Sequence, residues 1–87
     1  MSGRDGNEKH DPFAGIRMPS EVLDLLRRRL TVIERSTDTL QVHLATERAE
    51  GVVEALEVLK VLKSAEIESL YLIVENTVQE RVKALML

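Results

Sequence analysis

The chain has 87 residues, of which 44% are hydrophobic and 31% charged, with a formal net charge of −3. These values fit one small packed domain and exclude wholesale disorder. There is no cysteine or tryptophan and only one Phe and one Tyr, so disulfides, thiolate metal sites and cysteine nucleophiles are excluded and an aliphatic core is expected.

Charge is spread mildly. Residues 1–35 hold seven Lys/Arg against six Asp/Glu, and residues 36–87 hold five against nine. Neither half carries the basic field of a strong nucleic-acid binder. The longest apolar run, Leu70 to Val74, is far short of the ~20 residues that cross a membrane. The opening "MSGRDGNEKHD" has no apolar stretch of the kind that drives secretion. A cytoplasmic protein without a membrane role is the expectation.

Residues 1–19 read as a flexible N-terminal tail. Gly3, Gly6, Asn7, Asp11, Pro12, Gly15 and Pro19 interrupt any helix, and no apolar period develops. Within it "DPFAGIRMP" gathers Phe13, Ile16 and Met18. The favoured reading is a strap over one end of the core; the sharper one makes Phe13 and Ile16 candidate partner contacts.

Residues 20–87 read as an all-α helical hairpin domain. Pro19 precedes Ser20, which offers a cap for the first turn, and Glu21 and Asp24 suit the positive end of a helix dipole. Leu23, Leu26, Leu30, Ile33, Thr37, Leu40 and Leu44 then recur at alternating steps of three and four, a continuous seam along one helix face. Because the seam crosses "STDT" in phase, the spacing predicts one helix over about 20–49, with Thr37 bonding the carbonyl one turn back. The alternative is a break there, with Ser36 or Asp38 capping a new helix.

Past residue 44 the seam spacing lands on Glu47 and Glu54, so the first helix should end and the chain turn back. Gly51 suits the left-handed position after a helix end. A second helix is expected over about 52–86, with Leu56, Leu59 and Leu62 on a wide apolar face. The girdle "LYLIV" adds Leu70, Ile73 and Val74 on nearly all sides.

Two antiparallel helices of this length would leave the wide face in water. A chain this small rarely builds a sufficient core without disulfides, metals or oligomerisation. The expected solution is a homodimer, two long antiparallel hairpins forming a four-helix bundle. Self-association is assigned to Leu23, Leu26, Leu30, Ile33, Leu40, Leu44, Leu56, Leu59, Leu62, Leu70, Ile73 and Val74. Three helices within one chain is the competing arrangement.

Catalytic inventory is thin. His43 and Glu47 are four apart and could share a metal ion, but two ligands are too few; His10 has no stronger claim. The serines have no glycine-rich elbow, and no phosphate loop occurs. No enzyme activity and no cofactor is expected. Arg27, Arg28 and Arg29 form the one basic cluster. They spread around the helix rather than along one stripe, which favours covering apolar surface over contacting phosphates. The sequence therefore points to a non-catalytic interaction module, a small regulator or adaptor. A dimeric nucleic-acid binder using the arginines, or a subunit of a larger helical assembly, are the other readings.

Overall fold

A computed structural model describes residues 11–87. Three helices are present, α1 over Ser20–Arg35, α2 over Thr39–Leu59 and α3 over Ser64–Leu85, with no strand among the described residues. All-helical architecture holds. The two-helix hairpin does not, because the chain reverses twice, and neither reversal lies at Gly51.

The first reversal is the Ser-Thr-Asp run. Asp38 caps α2 by accepting the Gln41 amide at 2.8 Å. The Gln41 side chain reaches back to the Thr37 amide at 2.9 Å and the Thr37 hydroxyl at 3.0 Å. Reciprocal capping of this kind satisfies amides that a helix start otherwise leaves unpaired. Ser36 is extended and buried, yet its polar groups are all paired. Its amide donates to Ile33, its hydroxyl donates to the Val32 carbonyl at 2.9 Å, and its carbonyl accepts from Arg81 Nε at 2.7 Å. A break this well satisfied outweighs the weak preference of Ser, Thr and Asp for continued helix.

Continuity of the leucine seam was therefore coincidental. Leu26, Leu30 and Ile33 are buried on α1, but Leu40 and Leu44 on α2 are 65% and 51% exposed. The inner face of α2 is Val42, Ala45, Ala49, Val53 and Leu56. Its two alanines let the helix backbone approach its neighbours, and Val53 and Leu56 fill the space further along.

The second reversal is at Lys60, which takes the left-handed conformation, φ 57° and ψ 37°. The Lys60 amide bonds the Glu57 carbonyl at 3.1 Å and the Val61 amide bonds the Leu56 carbonyl at 3.4 Å. These are the bonds of a helix C-terminus closed by a left-handed residue, the role the sequence assigned to Gly51. Gly51 instead sits inside α2, and nothing lies within 4 Å of the place a Cβ would occupy.

α3 starts with the Glu66 carboxylate accepting the Lys63 amide at 2.9 Å. At the first helix, Pro19 stands where a cap would and Ser20 is already helical, so no side chain caps α1. Ile67, Leu70 and Val74 of α3 close the core. Leu70 and Val74 are thus buried within one chain, while Leu72 of the same girdle stays exposed. Tyr71 lies beside α2 with its hydroxyl 3.5 Å from Glu57; burial first, and then the nearby glutamates, push its pKa up.

Residues 11–19 run over the bundle. Phe13 joins the core at 4% exposure, with Ile16 and Met18 packed against it. Asp11 holds this segment in place, accepting the Phe13 amide at 3.1 Å and Arg27 at 2.6 Å. The strap reading describes this stretch; residues 1–10 of the expected tail lie outside the described residues.

Candidate protein-interaction surface

A shallow groove lies between α1 and α2, made of two hollows that share Arg48. At one end Val22 and Leu25 of α1 meet Val52 and Ala55 of α2. At the other, Val32 meets Leu44 and Ala45. Arg29 and Arg48 line the stretch between. The α1 residues Val22, Leu25, Arg29 and Val32 step by three, four and three, a second stripe beside the buried leucines. That period was present in the sequence and was hidden by the stronger Leu23–Leu26–Leu30–Ile33 series.

A separate apolar corner closes α2, where Val58, Leu59 and Val61 are all exposed. Helix ends are usually trimmed with polar residues, so three large aliphatic side chains within four positions stand out.

The twelve residues assigned to self-association do not form one surface. Leu26, Leu30, Ile33, Leu56, Leu70 and Val74 belong to the core of a single chain. Leu23, Leu62 and Ile73 are half-buried against it. Leu40, Leu44 and Leu59 are the members exposed to solvent. The sequence missed Val32 and Arg48 on the groove and Val58 and Val61 at the corner.

The arginine cluster is divided three ways. Arg27 pairs with Asp11 at 2.6 Å and more loosely with Asp24 at 3.9 Å. Arg28 is exposed, and Arg29 is half-buried in the groove. The Arg29 Nε is buried with no hydrogen-bond partner. Neither Arg29 nor Arg48 pairs with a carboxylate of the described residues. Phe13 and Ile16, candidate partner contacts in the sequence, lie in or against the core.

His43 and Glu47 do approach, at 3.4 Å, on the solvent side of α2. Among the described residues, no group of three or more His, Asp or Glu side chains comes together to hold a metal ion. His10 lies outside the described residues. A further cleft between α1 and α3 is lined by Glu34, Asn76, Thr77, Glu80 and Arg81, but its arginine is committed to the Ser36 carbonyl. No helix among the described residues is long and apolar enough to cross a membrane.

Comparison with known proteins places no relative beside this chain: no family model, curated protein or solved structure matches it.

Proposed function

We propose that the chain is a non-catalytic protein-interaction module, a small regulator or adaptor that acts as a homodimer and binds a further protein. One observation carries this reading. After the core is complete, Val32, Leu40, Leu44, Val58, Leu59 and Val61 still lie in water, grouped on the α1–α2 side and at the end of α2. Grouped apolar exposure beside polar surroundings is what an interface presents before its partner arrives.

The two groups suit two tasks. The α2 corner suits self-association, since its three aliphatic side chains are compact and Lys60 between them is exposed, free to keep its charge in water at the rim. A single chain already closes a three-helix core, so the dimer no longer rests on the need to complete one; it rests on this corner. Light scattering at micromolar concentration should give twice the chain mass, and Leu59→Lys should return it to one without loss of helicity. A wild-type monomer would remove the homodimer from the reading.

The α1–α2 side suits the second protein. An extract from the native host should yield a partner retained by the wild type and lost with Leu44→Lys. A partner indifferent to that change, or none, would sink this half. Nucleic-acid binding has weaker support, because Asp11 and Asp24 offset Arg27, and Arg28 is exposed while Arg29 is half-buried in the groove.

A further inference from the structure

We infer that the α1–α2 groove receives an amphipathic helix from another protein, and that this helix carries an Asp or Glu between two aliphatic residues. The inference rests on the protein-interaction reading and names the chemistry of the partner.

Three features specify the occupant. The first is the shape. Two antiparallel helices leave a trough into which a third helix packs ridge into groove. From Val22 to Val32 it covers eleven residues of α1, whose ten steps span roughly 15 Å at the helical rise. A partner helix of about three turns spans it, and contacts one face at i, i+3 or i+4, and i+7.

The second feature is the order of chemistries. Both ends are mainly aliphatic, with Val22, Leu25, Val52 and Ala55 at one and Val32, Leu44 and Ala45 beside Ser36 and Gln41 at the other. The two guanidinium-bearing side chains lie between. A helix with aliphatic residues at i and i+7 would seat both ends, placing its i+3 or i+4 residue over Arg29 and Arg48.

The third is the charge. Covering the groove with a wholly apolar helix would strip water from two cations and leave them unpaired, which costs more than the added apolar contact returns. The Arg29 Nε is already buried without a partner. A carboxylate placed over the groove accepts charge-assisted hydrogen bonds from the outer guanidinium nitrogens of both arginines, and the planar fork of arginine suits that geometry. Arginine in an apolar surround is also a frequent centre of binding energy at interfaces.

A second copy of this chain fits poorly. Paired groove to groove about a two-fold axis, it would bring two more arginines to the same place. Docked by any other face, it would leave each groove open to a further copy and build chains rather than a closed pair. A nucleic acid fits poorly too, since phosphates recurring along a strand would lie over the aliphatic ends as well as the arginines.

The test is a phage library of 16-residue helix-forming peptides, selected on the full chain. Selected peptides should lose binding to Leu44→Lys, and should carry Asp or Glu between aliphatic residues seven apart. In the tightest of them, changing that acid to its amide should weaken binding at least tenfold, as should Arg48→Ala. Arg48→Glu should restore binding to a peptide whose acid has become Lys. All three protein variants lie on exposed positions, and circular dichroism checks that they fold. Groove-binding peptides with no central acid would overturn the inference while leaving protein binding at the groove intact. Selection of no groove-binding peptide would overturn both. Displacement of the selected peptide by a DNA or RNA oligonucleotide, or growth of the chain into polymers through the groove, would also overturn it.

Discussion

At the residue scale, Asp11 does two jobs with one carboxylate. Its oxygens accept the Phe13 amide and the Arg27 guanidinium, and these hold its pKa below the ordinary value, the backbone bond contributing most. A carboxylate with a lowered folded-state pKa adds stability that is fully present above its unfolded value, about 3.9. That contribution is lost as pH falls through the lowered value. The Phe13 ring resonances should therefore keep their buried positions at neutral pH and move toward exposed ones only in strong acid. Asp11→Ala should shift the ring part of the way toward the exposed positions at neutral pH, with no acid step. An acid step that survives in the variant would assign it to another group.

Arg81 presents the opposite balance of charge and burial. Its Nε donates to a buried carbonyl at the α1–α2 break, 45 residues away in the chain. Arg81→Met keeps most of the apolar stem and removes the donor. Leaving the Ser36 carbonyl unsatisfied should cost about 1–3 kcal/mol in urea unfolding. A loss under about 0.5 kcal/mol would mean that water replaces the guanidinium there.

At the element scale, the glycine and the left-handed residue of α2 are in each other's places. Gly51 occupies a helix interior, where glycine is less favourable than alanine by about 1 kcal/mol, and an added methyl meets nothing. Lys60 occupies a position with φ 57°, which costs an L-residue about 1–2 kcal/mol and glycine much less. Gly51→Ala and Lys60→Gly should each raise the melting temperature, by an amount equivalent to roughly 0.5–1 kcal/mol, and should add when combined because the sites are independent. If the chain instead turned at Gly51, Gly51→Ala would destabilise it. The opposite signs expected at a turn and in a helix make this the sharpest check on where α2 ends.

At the scale of the whole molecule, the small inner face of α2 sets how closely the helices approach. Ala49 has no exposed surface, so its methyl leaves no room for a larger side chain. Ala49→Leu should push the helices apart and destabilise the fold by about 1–3 kcal/mol, read as a lower urea midpoint. A seam drawn through Leu40 and Leu44 would place that strain elsewhere, and the same substitution would be harmless. The groove depends on the same spacing, since Arg29 and Arg48 come from two helices whose separation the alanines govern. A variant that widens the bundle should weaken groove binding even where folding survives.

Much of this was legible in the residues themselves. The step-three, step-four recurrence of Leu23, Leu26, Leu30 and Ile33 specified the helix and its buried face, because those side chains share one side of a 3.6-residue period. "STDT" contained the caps that end one helix and start the next, and the competing reading of a break at Asp38 was present there. The corner and the groove were not legible. Leu40 and Leu44 have the same period as the buried leucines, and a period reports that a face is apolar without saying what stands opposite it. Whether Leu44 meets core or water was decided by a three-residue break that rotates α2 and turns Ala45 and Ala49 inward. Arg29 and Arg48 lie 19 positions apart in the chain, and only the antiparallel packing of α1 on α2 brings them to one groove. The sequence by itself determined helices, an aliphatic core and apolar surface in excess of one face. The tertiary structure decided which of that surface closes the core and which stays open, because burial is a property of what two elements leave between them.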